Sequence, residues 1–217
     1  MSQVYDWVKQ EYPLKERRKP MEIPVTGGTY NGIRSIDADV CELFGIQLQT
    51  GDKGEAVRYA YKYPHTVKYR LHSDKSKSWV KDRGLGMNHL FGPDFNAGTS
   101  QRIYLTEGEF DAASLYQILG KTFPVKSLPS ASIGEKFIKH NHAYLSSFRE
   151  IIYAGELDDA GRRAADKLYA AFPDKFWYVP MSKHKDANDF LQSGDADDLM
   201  WAARKPQRYS PENFFCS

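Results

Sequence analysis

The sequence predicts an α/β protein: a mostly parallel sheet flanked by helices, preceded by a small α+β subdomain. Three observations carry that expectation. From Arg102 onward, short apolar runs alternate with stretches of helical spacing, the pattern of parallel strands covered by crossover helices. Upstream, polarity alternates over 56–63 and 66–71 on either side of Pro64-His65, as in an antiparallel hairpin. Two of the later strand-to-helix crossings carry clustered carboxylates, and the carboxyl ends of strands are where open parallel sheets bind ligands.

Taken in order, residues 2–12 predict a short helix with Val4, Tyr5, Trp7 and Val8 as its apolar patch, and the charge run Lys15 to Pro20 a solvated tether, so 1–20 is an N-terminal arm. A turn at Gly27-Gly28 leads to a two-turn helix ending at Gly45, with Asp37 as N-cap, Val40, Leu43 and Phe44 as the buried stripe and Gly45 at the C′ position. The hairpin follows, and Gly84-Leu85-Gly86 suits a hairpin end better than a phosphate cradle. Gly92-Pro93 and Asn96-Ala97-Gly98 close this subdomain, giving it residues 21–98. Beyond it, strands are expected at Ile103–Leu105, Pro124–Leu128, Ile151–Tyr153 and Trp177–Val179. The intervening helices are Asp111–Leu119, Lys136–Ser146 and Gly161–Phe172, with further helical spacing at Asp186–Gln192 and Asp197–Ala203. These elements make a domain over 99–205, and the proline-bearing tail 206–217 reads as extended.

With 30 basic and 28 acidic residues the net charge of +2 selects no class of partner. The distribution says more. Between Arg58 and Arg83, basic residues including Lys68, Arg70, Lys75, Lys77, Lys81 and Arg83 interleave with Tyr59, Tyr61, Tyr63, Tyr69 and Trp79. Such a strip can hold a phosphate backbone and stack bases; a solvated sheet with a lysine-protected edge has the same composition. Cys41 and Cys216 are too far apart in sequence to suggest a metal module or a disulfide framework, and the six histidines show no metal spacing, so no zinc is expected. No apolar run approaches the roughly 20 residues of a membrane span, and the N-terminus lacks a signal-peptide core, so a cytoplasmic protein is expected.

The first acidic crossing is Thr106-Glu107-Gly108-Glu109-Phe110-Asp111; the second is Glu156-Leu157-Asp158-Asp159-Ala160-Gly161. Helix capping accounts for Asp111 and Asp159. It does not account for Glu107, Glu156 and Asp158, which sit at strand ends and repel one another unless a cation offsets them. Hard oxygen donors of this kind suit Mg²⁺ or Mn²⁺. Glu156 and Asp158 are two apart, so on extended backbone they share a side while Leu157 turns to the core.

The first crossing resembles the acidic strand–turn of Toprim domains, and Glu156 to Ala164 resembles their second motif, in which Asp-x-Asp precedes Ala-Gly. Lys185-Asp186-Ala187-Asn188-Asp189 is similar to the segment that follows in the primase half of T-odd phage primase–helicases and their mitochondrial relative Twinkle. Upstream, Gly28 to Arg34 with the helix ending at Gly45 resembles the entry to that family's primase subdomain. The likeness spans about residues 25 to 205. It implies catalytic roles for Glu107, Asp158 and Asp186, a site for two Mg²⁺ or Mn²⁺ ions on Glu107, Glu156, Asp158 and Asp186, and nucleotide phosphates near Lys68, Arg70, Lys75 and Lys77. Glu156 departs from the family's aspartate by one methylene. Neither the family's zinc module nor its helicase phosphate loop is present in the sequence.

The resemblance implies a DNA-templated RNA primase core of phage-type replication, acting on a single-stranded DNA template and NTPs beside a helicase or DNA polymerase. Two alternatives stay open: a Toprim nuclease using the same acids to activate water, and a catalytically degenerate single-stranded-DNA-binding scaffold for a helicase, which Glu156 favours.

Overall fold

The computed structural model describes residues 32–49, 57–74, 76–81, 88–96 and 100–214. The helix expected over 2–12, the charged tether, the Gly27-Gly28 turn and Gly84-Leu85-Gly86 lie outside the described residues.

Helix α1 (Ala38–Phe44) ends where expected, on Gly45 at φ 64°. A Cβ there would sit 2.8 Å from the Lys62 Cβ, so both the left-handed backbone and the close approach require glycine. The expected N-cap holds in position, and the buried stripe is corrected. Asp37 holds the N-cap position without a capping bond, its carboxylate pairing with Lys121 at 3.2 Å. Leu43 is exposed, and Cys41 takes its place in the core beside Val40 and Phe44.

The hairpin forms as β2 (Arg58–Lys62) and β3 (Val67–Leu71), but it sits inside a four-stranded antiparallel sheet. Strand β1 (Ile46–Gln49) adds to one side and β4 (Ser78–Val80) to the other, in the order β1-β2-β3-β4. Neither outer strand was expected, each being short and mixed in polarity.

The second sheet has the order β6-β5-β7-β8-β9, from β5 (Arg102–Thr106), β6 (Val125–Ser127), β7 (Glu150–Tyr153), β8 (Phe176–Tyr178) and β9 (Gln207–Arg208). The first four in sequence are parallel, and β9 returns antiparallel to β8. The tail is therefore not simply extended: β9 pairs with the sheet, and a 3₁₀ turn follows at Pro211–Phe214. Its helices are α2 (Glu109–Ile118), α3 (Glu135–Ser146), α4 (Asp159–Ala171), α5 (Ala187–Ser193) and α6 (Ala196–Arg204).

Alternation along β5 shows why the strands read as apolar runs. Ile103 and Leu105 pack into one core with Phe137 of α3 and Leu168 of α4, while Tyr104 turns to the other with Phe110 of α2 and Phe190 of α5. Both faces of the sheet are covered, as parallel sheets require. The second core runs on into the small sheet, where Tyr59 and Tyr61 present ring edges to Phe110 at 4.8 and 5.5 Å between centroids. Glu109, beside Phe110, is buried with Lys68 at 2.7 Å and the Tyr63 hydroxyl at 2.8 Å.

Candidate active site

Strands β5 and β7 are parallel neighbours with Leu105 opposite Tyr153, so the chain leaves both at the same sheet edge. Glu107 lies just past β5, and Glu156 and Asp158 lie in the turn from β7 into α4. The Tyr153 hydroxyl, at the end of β7, donates to Glu107 and lies 3.3 Å from the Gly161 carbonyl. Glycine makes room for the carboxylate: a Cβ on Gly161 would fall 2.5 Å from Glu107 Oε1, and one on Gly155 2.8 Å from it. Burial pushes the Glu107 carboxyl above its ordinary range, the Tyr153 hydrogen bond opposes that rise, and the charges of Asp158 and Glu156 add to it.

Glu156 is also raised, first by partial burial and then by Asp158, while the Lys185 ammonium pulls the other way. Asp158 is exposed and caps α4, accepting from the N–H groups of Ala160 at 3.0 Å and Gly161 at 2.9 Å. Asp186 caps α5 through the Asp189 N–H at 2.8 Å. It also meets Asp111, which lies half-buried in the first turn of α2 and accepts from the Asn188 N–H at 3.3 Å. Burial, and next the adjacent Asp186 charge, lift the Asp111 carboxyl far above the usual carboxylate range.

The sequence-predicted acids thus form two groups, Glu107 with Glu156 and Asp158, and Asp186 with Asp111. Asp111 is the member that sequence reasoning assigned to capping. No local signal separates a capping aspartate from a paired one, because its partner is 75 residues away (186 − 111). Among the described residues no three acids, histidines or cysteines converge as a ready metal cage; Glu107, Asp158 and Asp186 are each turned to a protein donor. The donor chemistry nonetheless fits a divalent cation: hard oxygens at one edge, two of them raised in part by their neighbours' charge. Beside Glu156 and Asp158 opens a cavity of ≈ 500 Å³, also lined by Lys183, His184, Lys185 and Asp189. Its far wall is fixed by Asp195, which accepts from His184 at 2.6 Å and Lys183 at 2.5 Å and is lowered to about 2 by those bonds. Lys185 was known only as part of a motif; its charge on Glu156 gives it a place in the site.

The basic strip divides between the two faces of the small sheet. Lys68 and Arg70 point inward: Lys68 is held by Glu109 and the Pro129 carbonyl, and Arg70 lies over Phe110 at 5.2 Å with its buried Nε unpaired. Strand alternation sends Lys77 and Lys81 to the outer face with Trp79. Lys75 and Arg83 lie outside the described residues.

Residues 104–191 match the family model described as Toprim-like. The DNA helicase/primase of Enterobacteria phage T3 is 28% identical over 196 residues, covering 83% of this chain and 34% of that protein, so the chain spans about a third of its relative. Two structures share the fold at 23% identity. The bacteriophage T7 lagging-strand DNA polymerase complex with primase domains of two gp4 subunits has a TM-score of 0.70 over 81% of this chain and 90% of that one. The primase fragment of the T7 primase–helicase has a TM-score of 0.68 over 78% and 72%. The DnaG primase catalytic domain bound to single-stranded DNA is more distant, with a TM-score of 0.59 at 15% identity over 80% of this chain and 69% of that one. Residues 104–191 are therefore a Toprim-like domain, set in a chain with the fold of the phage T7 primase domain.

Proposed function

We propose that this chain is a DNA-templated RNA primase core of a phage-type replication system. The observation that carries the reading is the gathering of Glu107, Glu156 and Asp158 past two adjacent parallel strands, where Glu107 and Glu156 are raised in part by the negative charge around them. Glu107, Glu156 and Asp158 would hold two divalent ions, Mg²⁺ or Mn²⁺, with Asp186 assisting. Such ions, when bound, stabilise the charge that builds as a 3′-hydroxyl attacks the α-phosphate of an NTP and pyrophosphate departs.

The chain's own residues prepare that site. Tyr153 orients Glu107 and favours its charged form, opposing the burial that would otherwise hold a proton on it. Lys185 places a cation beside Glu156 at the cavity wall, where a triphosphate can be received. Arg70, on the inner face of the small sheet, supplies further positive charge for nucleotide phosphates, and Lys68 would do so only on leaving Glu109. Single-stranded DNA is the template, a replicative helicase or DNA polymerase the partner, and the host cytoplasm the compartment. No helix of the described residues is long and apolar enough to cross a membrane.

One observation favours a metal-free scaffold: among the described residues no three such ligands converge, and Glu107, Asp158 and Asp186 are each turned to a protein donor. Incubation with single-stranded DNA, labelled NTPs and Mg²⁺ or Mn²⁺ separates the readings. Short oligoribonucleotides are expected from the wild type and none from Glu107→Gln, which removes charge at constant volume; template cleavage instead would mark a nuclease. Unchanged synthesis by Glu107→Gln would remove that residue from the site. The absence of Mn²⁺ binding at millimolar concentration would leave the scaffold.

A further inference from the structure

The small sheet has two dissimilar faces. The inner one is spent on packing, with Tyr59 and Tyr61 against Phe110. On the outer one a single row of side chains crosses all four strands. Gln49 donates to Gln47 at 3.3 Å and receives the Arg58 Nε–H at 3.4 Å. The Arg58 guanidinium lies 4.8 Å from the Tyr69 ring centre, and Tyr69 stacks on Trp79 at 5.5 Å with planes 26° apart. The register fixes this row: Gln49 opposes Arg58, Gln47 and Tyr69 both oppose Ala60, and Trp79 opposes Tyr69.

Trp79 is 41% exposed, an unusual position for the largest apolar side chain at the end of a sheet. Among the described residues, the charge around it has one sign in excess. Strand alternation puts Lys62, Lys77 and Lys81 on the same face as Arg58, against Asp74, which pairs loosely with Lys77 at 3.5 Å.

We propose that this outer face is a binding platform for single-stranded DNA, separate from the carboxylate site. The proposal rests on the reading of the chain as a nucleic-acid enzyme and assigns that enzyme a second contact with its template. The Trp79 ring, backed by Tyr69 and open to solvent, can stack only on bases that are not already stacked in a duplex, which selects a single strand. The surrounding cations suit phosphates rather than an apolar protein surface, and the Gln47 and Gln49 amides offer donors and acceptors to base edges. Because the inner face is covered by α2, a strand lying on this platform reaches the carboxylate edge only by passing around the sheet. The platform then anchors template outside the catalytic site.

The test measures binding of a labelled oligodeoxythymidylate of about 12 nucleotides, within the site sizes of such surfaces, to the full chain without NTP or metal. Trp79→Ala should weaken binding about tenfold or more, and Trp79→Phe, which keeps a ring, should restore most of it. Lys77→Ala should lower the slope of log affinity against log salt by about one unit or slightly less. The exposed Trp201 on α6 is the control, and Trp201→Ala should bind as the wild type does. DNA should quench tryptophan fluorescence in the wild type and much less in Trp79→Phe, a readout that stands even if Trp79→Ala fails to fold. Unaltered binding by Trp79→Ala, equal quenching in Trp79→Phe, equal losses in Trp79→Ala and Trp201→Ala, or tighter binding of oligouridylate than of the DNA would each overturn the proposal. Its failure is distinct from that of the primase reading. Loss of binding in Trp79→Ala with no primers made would leave the platform standing, whereas primers made with unaltered binding would leave the primase alone.

Discussion

Tyr153 is the residue on which the character of Glu107 turns. Its hydroxyl is the foremost donor opposing burial and two neighbouring charges, ahead of the Glu156 N–H, and a hydrogen bond to a charged group contributes about 1.5–3 kcal/mol. Removing it in Tyr153→Phe should raise the Glu107 carboxyl further, so more of the protein carries a proton there at mildly acid pH. Mn²⁺ affinity should then fall about tenfold near pH 6 and recover as pH rises, read by the electron paramagnetic resonance of free Mn²⁺. An identical pH profile in the two proteins would show that Tyr153 only packs. Glu156 poses the complementary question, since its extra methylene shifts its oxygens relative to Asp158 and Mg²⁺ tolerates such shifts poorly. Synthesis is expected to be stronger with Mn²⁺ than with Mg²⁺, and Glu156→Asp should raise the Mg²⁺-supported rate toward the Mn²⁺ one. A loss of activity in that variant would mean that glutamate is fitted to its own geometry.

At the scale of elements, the turn from β7 into α4 is where packing is least forgiving. Gly161 lies within a helix, and Gly→Ala in a helix ordinarily stabilises by about 1 kcal/mol. Here the added Cβ would fall 1.9 Å from the Glu156 carbonyl oxygen and 2.5 Å from Glu107 Oε1. Gly161→Ala should therefore destabilise, lowering the urea midpoint, and should cost activity as well because both acids must move. The motif was legible as Ala-Gly after the acids, but the reason for the glycine was not, since it depends on Glu107 arriving from another strand. The same limit explains the other elements. Buried runs such as Ile151-Ile152-Tyr153 announce a strand by composition alone, whereas Ser78-Trp79-Val80 becomes one only because β3 pairs with it. Leu43 has the spacing of a core residue and is left exposed, because no element among the described residues covers it.

For the whole molecule, the paired acids Asp111 and Asp186 tie α2 to α5 and set a pH dependence. Burial and the Asp186 charge raise the Asp111 carboxyl, so the folded state keeps its proton to higher pH than the unfolded chain, which releases it at an ordinary carboxyl pKa near 4. The unfolded state therefore binds fewer protons, and stability falls as pH rises from about 4 toward neutrality. Asp111→Asn should flatten that dependence and stabilise the protein near pH 7, measured by urea denaturation across the range. A wild type whose stability rises over the same interval would show that the pair holds no proton. The division of the molecule into an antiparallel sheet and a parallel one was readable from the change in periodicity at Arg102. The partition of the basic strip was not, because which lysines turn inward depends on α2 covering one face.

The margins of the larger sheet bear on self-association. At one margin Phe91 forms an antiparallel bridge with Ser127 of β6, occupying hydrogen-bonding groups that a visiting strand would need. At the other, β9 is two residues long, follows Pro206 and carries Arg208, all features that discourage strand addition. Among the described residues neither margin offers a long run of unpaired backbone to template a neighbour. Edge-to-edge growth of the kind that begins fibrils is therefore discouraged at the parallel sheet, and the outer strands β1 and β4 of the small sheet are the margins left to pair between copies of this chain.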